Sequence, residues 1–322
     1  MHLPDGFLDT RTALLSTGVA VAGVSIALRQ VRLTMQPRRV PMLGLAAAFV
    51  FAAQMLNFPV AGGTSGHLVG GVLTAVLLGP SAAVIVLACV LIVQCLMFAD
   101  GGLFALGANM FNMGVVSICA GYAAFDVAKR MTRSEAMWAT VFAAGFGGWF
   151  GTVAASITCA GMLALSGMAP WGLAFPAMAN IHMVIGIGEG LITGLVTYAV
   201  LRSRPELVGG AQGSRAHRWF AFAGYSLLIS IGLAMFVAPF ASPWPDGLEY
   251  VAHKLGFESR AGEAVLVSPL PDYQLPGIGS AAAATAVAGL IGTVVVFCAA
   301  WGLAKWLVPV IGASKKNAST GN

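Results

Sequence analysis

One apolar run in this chain is too short for what its composition asks of it. Apolar runs lie at about 12–28, 42–58, 68–79, 82–98, 103–125, 136–165, 176–201, 219–239 and 279–304. Most could cross a bilayer as a helix. The third, "LVGGVLTAVLLG", ends at "PSAA" after twelve residues. Twelve helical residues rise roughly 18 Å, against a hydrocarbon core of about 30 Å. The loop before it, "PVAGGTSGH", must therefore reach into the membrane. Irregular backbone survives at that depth only where it lines a protein cavity. His67, at the end of the loop, is then expected inside the protein rather than at its rim.

Composition agrees with a membrane fold. Hydrophobic residues make up 58% of the 322 and charged residues 9%, against about a quarter charged in soluble domains. The expected class is an all-α polytopic membrane protein with about nine spans. The net charge of +5 is no nucleic-acid footprint. Fourteen of the 17 Lys and Arg residues form four clusters: Arg29 to Arg39, Lys129 to Arg133, Arg202 to Arg218, and Lys305 to Lys316. With an odd number of crossings all four fall on one side, which sets the N-terminus outside and the C-terminus in the cytoplasm. The five cysteines lie in apolar runs without a CxxC and read as small hydrophobes. No GxxxxGK[ST] and no HExxH is present, which argues against a P-loop ATPase and a zincin protease.

The polar stretch 203–218 reads as a cytoplasmic linker. It divides a seven-span body, residues 1–202, from a two-span tail, residues 219–322. The tail carries an outside loop at about 241–278, with one short helix expected near 247–255. "PDGFL" at 4–8 and "PDGLE" at 245–249 are alike, and chance recurrence of a turn tripeptide explains that.

The N-terminus lacks the basic region and cleavage site of a signal peptide, and a second-position histidine is too large for removal of the initiator methionine. The chain is expected to start with a free amine on Met1, followed by His2. Amine, His2 amide nitrogen and His2 imidazole can close fused five- and six-membered chelate rings. Such a set favours Ni(II) or Cu(II) in a tetragonal plane. His67 can fill the fourth position, since extended residues 1–11 span up to about 35 Å. The candidate metal ligands are therefore Met1, His2 and His67, with no catalytic residue and no organic cofactor. Gln54, Asn57, Gln94, Asn109, Asn112, His182 and Glu189 are polar groups in or beside spans, able to orient the ligands or to fix packing. Asp5 is expected to make a turn. Gly44, Ala48 and Ala52 form a small-residue face, open to docking another subunit or to packing within the fold.

"MHLPDGFL", "FPVAGGTSGHLVGG", "FADGGLFALGANMFNM" and "PWPDGLEYVAHKLGFE" together resemble the NikM/CbiM substrate-binding (S) components of energy-coupling-factor transporters. Residues 219–304 resemble an N component of the PDGLE type fused behind the M component. The resemblance implies a seven-helix body with the N-terminus inserted at its centre, and Met1, His2 and His67 at the ligand positions. It implies import of Ni2+ or Co2+ with a membrane coupling (T) subunit and two cytoplasmic ATPase subunits, in the cell inner membrane. Cobalt members tend to open with a cleaved leader and "HIMEGFLP"-like residues, so this opening points to nickel first and cobalt second. The rival reading is a membrane-embedded metalloenzyme, which would need Glu189 or Asp5 as a general base. The other rival is an assembly protein using its N-terminus as an anchor.

Overall fold

The computed structural model describes residues 1–204, 216–262 and 265–308; most of the linker expected at 203–218 lies outside them. The body begins with an N-terminal strap, residues 1–9. Asp9 then caps α1 (Thr10–Thr34), accepting from the Thr12 N–H at 3.1 Å. α2 (Val40–Gln54) is followed by a two-stranded antiparallel hairpin, β1 (Phe58–Val60) with β2 (Thr64–Gly66). Gly62 and Gly63, both at positive φ, make its turn. α3 (Gly71–Leu78) ends at Gly79, whose φ of 92° breaks the helix before Pro80 starts α4 (Pro80–Phe98).

The next span is composite. α5 (Leu106–Asn109) runs through a π-helical stretch, Met110–Val116, into α6 (Ser117–Thr132). α7 (Met137–Leu165) and α8 (Trp171–Ser203) complete the body. They approach closely through glycine: a Cβ on Gly145 would stand 3.0 Å from the Gly190 carbonyl oxygen. The tail comprises α9 (Ala216–Gly232), extended by one π turn to Val237, α10 (Gly247–Leu255) and α11 (Ala281–Leu307).

Among the described residues the chain is all-α apart from the hairpin. Among the described residues seven helical stretches are long and apolar enough to cross a membrane. The other two of the nine expected segments are α2, with 15 residues, and α3, with eight. At 1.5 Å per residue both fall short of the hydrocarbon thickness. The hairpin precedes α3 directly in the chain, and β2 contacts α8 and α10. The loop before α3 is thus a paired hairpin and not the irregular backbone expected.

The tail packs into the body. Tail residues Ala234, Ala288, Val296 and Ala300 share one core with Leu43, Ala47 and Phe51 of α2 and Val86 and Val90 of α4. The small-residue face of α2 is covered by α11 of the same chain. Gly44, Ala48 and Ala52 are buried, and a Cβ on Gly44 would meet the Phe297 ring at 3.0 Å. This corrects the docking reading of that face: small residues let α11 lie close, and nothing of the stripe is left for another subunit.

Candidate metal centre

The N-terminal strap turns back into the body. Met1 is 4% exposed and Leu3 fully buried. Asn109 holds Leu3 from both sides, accepting its N–H at 2.8 Å and donating Nδ2 to its carbonyl at 3.1 Å. Gly102 N–H donates to the same carbonyl at 2.9 Å. Both backbone groups of Leu3 are thus paired, much as in an edge strand. Asp5 does more than turn the chain. Its carboxylate accepts three backbone N–H groups, from Leu103, Phe104 and Ala105, at 2.9–3.1 Å.

The strap delivers the Met1 nitrogen to His67, 2.7 Å from Nε2. His67 Nδ1 lies 3.2 Å from the Leu68 carbonyl oxygen. A hydrogen donated there leaves the Nε2 lone pair facing the amine. The His2 ring stacks on the His67 ring, with centroids 5.2 Å apart and planes 23° from parallel. His2 Nε2 lies 3.2 Å from the Gln94 side-chain amide. His2 Nδ1, the atom that would close the six-membered chelate ring, lies 3.2 Å from Asp100 Oδ1.

Other polar side chains hold the loop that carries His67. Glu189 of α8 accepts from the Val69 and Gly70 N–H groups at 2.6 and 3.0 Å, and Gln54 Nε2 donates to the Val69 carbonyl at 2.8 Å. Gln54, Gln94, Asn109 and Glu189 therefore all act on the strap, the ligands or the loop. His182 donates Nδ1 to Met178 O at 2.8 Å, inside its own helix. Neither side-chain polar atom of Asn112 has a protein partner, and Asn57 reaches the site only as a wall residue of the cavity. Glu189 and Asp5, the two bases a metalloenzyme would need, are both engaged by backbone N–H groups.

Sequence reasoning missed Asp246 and Asp100. Asp246 Oδ2 lies 2.5 Å from the Met1 nitrogen and 3.9 Å from His67 Nε2. Burial opposes ionisation of this carboxyl, but the positive amine beside it prevails and holds its pKa below the usual carboxylate range. Each position of "PDGLE" has a place here. The Pro245 carbonyl accepts from Ser65 N and Thr64 Oγ1 at 2.8 and 3.0 Å. Asp246 and Glu249 form a capping box at the start of α10. A Cβ on Gly247 would stand 2.7 Å from His182 Nε2, so any larger residue would have to push the His182 ring aside. Leu248 is 1% exposed, packed in one core with Met1, Leu3 and Phe7. The resemblance between 245–249 and 4–8 carries no shared role, since Asp5 grips a loop and Asp246 caps a helix. The D-x-x-E spacing was the signal available for Asp246, because it marks a helix start with an exposed second carboxylate oxygen.

Among the described residues no three His, Cys, Asp or Glu side chains converge as a metal site. The nitrogens at Met1, His2 and His67 form a different kind of set, in which main-chain donors supply what side chains do not. A cavity of about 950 Å³ opens over it. Its wall includes His2 and His67 and the carboxylates of Asp100, Asp246, Glu249 and Asp272, while no Lys or Arg lines it among the described residues. A cleft lined by one sign of charge concentrates the opposite sign.

Residues 2–207 match the CbiM family, described as the cobalt uptake substrate-specific transmembrane region, and residues 220–308 match the PDGLE domain. A protein of Archaeoglobus fulgidus, provisionally described as a fused nickel transport protein NikMN, is 37% identical over 95% of this chain and 99% of its own. The fused nickel transport protein NikMN of Rhodobacter capsulatus is 32% identical, over 84% of this chain and 82% of its own. The cobalt transport protein CbiM of Thermosediminibacter oceani is 34% identical over 61% of this chain and 82% of its own. A crystal structure of a truncated transition metal transporter superposes with a TM-score of 0.57, at 34% identity, over 63% of this chain and 99% of that one. Fold and relatives together define a multi-pass membrane protein of the transition-metal transport class. Within that class the chain belongs to the CbiM/NikM family, with a PDGLE domain joined behind the family's transmembrane region.

Proposed function

We propose that this chain is the substrate-specific subunit of an energy-coupling-factor importer. It captures Ni2+, with Co2+ the second choice, through Met1, His2 and His67. The observation that carries this reading is the 2.7 Å approach of the chain's first nitrogen to His67 Nε2 in a buried site. Four nitrogens are within reach of one ion: the amine, the His2 amide nitrogen, His2 Nδ1 and His67 Nε2. The amide must give up its proton, which selects metals that favour strong in-plane nitrogen donors. Closing the second chelate ring takes His2 Nδ1 off Asp100.

The reading places the N-terminus outside, the C-terminus in the cytoplasm and the chain in the cell inner membrane. Residues 1–202 bind the metal, 203–218 link in the cytoplasm, and 219–322 cover the site. A membrane T subunit and two cytoplasmic ATPase subunits complete the importer and supply the ATP-driven step that hands the ion inward. The chain is no enzyme itself. The names of the fused nickel relatives, which span both regions, support nickel over cobalt.

Elemental analysis of purified protein tests the ligands. The wild type is expected to retain about one nickel per chain and His67→Ala almost none. Inserting one large residue between Met1 and His2 brings a second amide nitrogen into the plane, in the position His67 fills, so the donor set no longer includes His67, and the insertion is expected to abolish uptake at limiting nickel. Unchanged uptake by that variant would sink the chelate.

A further inference from the structure

The two groups that the strap contributes to the centre are held by the tail. Asp246 places Oδ2 at 2.5 Å from the Met1 nitrogen, while its Oδ1 accepts the Leu248 and Glu249 N–H groups at 2.7 and 2.9 Å. Its own helix therefore locks the carboxylate in position. On the far side, Tyr273 donates its hydroxyl to Asp100 Oδ2 at 2.5 Å, and Asp100 Oδ1 faces His2 Nδ1 at 3.2 Å. One tail acid touches the amine, and one tail phenol fixes the acid that touches the imidazole. The backbone repeats the pattern: Gly262 N–H donates to the Asp5 carbonyl at 2.7 Å, and Phe257 packs edge-on to Phe7 at 5.1 Å between centroids.

We propose that Asp246, with Tyr273 acting through Asp100, is the positioning device of the metal centre. It sets the amine and the His2 ring in place before the cation arrives, and Asp246 remains beside the loaded ion as its counter-charge. This rests on the reading of Met1, His2 and His67 as ligands. A divalent cation bound to one deprotonated amide keeps a net charge of about +1. An uncompensated charge is costly in a buried site. Asp246 lies within 4 Å of both the amine and His67 Nε2, so its carboxylate neutralises that charge at contact range. It is a positioning residue and not a fifth ligand, because one oxygen is committed to the helix cap and the nitrogen plane is full. The PDGLE domain is thereby part of the centre, and the tail's acid is what prepares the body's ligands.

The test uses the full chain in detergent with Ni2+ alone as probe, read by the visible absorption band of square-planar Ni(II) and by its rate of appearance. Asparagine caps helices as well as aspartate does, so Asp246→Asn keeps the start of α10. That variant is expected to keep the wild-type band at saturation but to lose about 10- to 100-fold in affinity, with slower capture. Tyr273→Phe, away from the cap, is expected to slow capture by a smaller factor. His67→Ala, a control for the ligands, is expected to lose the band. Wild-type rate and affinity in both Asp246→Asn and Tyr273→Phe would overturn the proposal. A shifted band in Asp246→Asn would make Asp246 a ligand and overturn it in another way. A wild type without the band would remove the ligand reading itself, and the proposal with it.

Discussion

At the residue scale the proposed site is unusual in using atoms that every protein has. In that proposal a terminal amine and a backbone amide carry half of the donor set, so the chemistry depends on where residue 1 lies. Binding must release the protons these atoms hold. The amine is charged beside Asp246, and the amide carries its hydrogen until a metal replaces it. Both must be shed, while His67 Nε2 already presents a lone pair. Nickel affinity is therefore expected to rise with pH, by about two log units per pH unit while both protons are released on binding. Isothermal titration from pH 6 to 8, corrected for buffer protonation, measures that slope. A slope near zero would mean that neither main-chain nitrogen binds. The meeting of Met1 and His2 with His67 was legible in the sequence because a His at position 2 and a His in a glycine-rich loop between apolar runs are each expensive or odd. Asp246 was not, because a PDG tripeptide reads as a turn until something is seen docked on it.

At the scale of elements, the short helix α3 and the short helix α10 matter most. α3 follows the hairpin in the chain, and α10 contacts β2 of that hairpin and points its N-terminal end at the amine. Gly247 is where α10 meets α8, with no space for a methyl group beside His182 and Ile185. Gly247→Ala is expected to destabilise the docked tail by about 1–3 kcal/mol, the usual cost of overpacking, and to weaken nickel retention through the displaced Asp246. Thermal unfolding of the purified variant, with and without nickel, measures both effects. Wild-type values for each would show that α10 does not need its close seat. Helix positions were readable from apolar runs, and α10 fell where its polar–apolar pattern put it. Ends were less so: α8 starts at Trp171, ahead of Pro176, and so holds a proline in its second turn, where an apolar run beginning at that proline was expected.

For the whole molecule, the body and the tail share two packed clusters and line one acidic cavity. Attraction of a cation into that cavity acts over a distance and is screened by salt. The rate of nickel capture is expected to fall several-fold between 20 and 200 mM ionic strength, about the range over which the Debye length shrinks from roughly 20 Å to below 10 Å. The rate of release is expected to change far less. Stopped-flow mixing at several salt concentrations checks this, and a capture rate indifferent to salt would leave the carboxylates of the wall without a steering role. Apolar length and charge placement determined by themselves that the chain is a helical membrane protein, and the opening residues with His67 determined which nitrogens could meet. What only the tertiary structure decided is that α11 covers the small face of α2 and that Asp246, 245 residues along the chain from Met1, lies against its amine. Periodicity and composition record whether a residue is buried, but not against which distant partner, since many partners satisfy the same apolar face or the same free carboxylate oxygen.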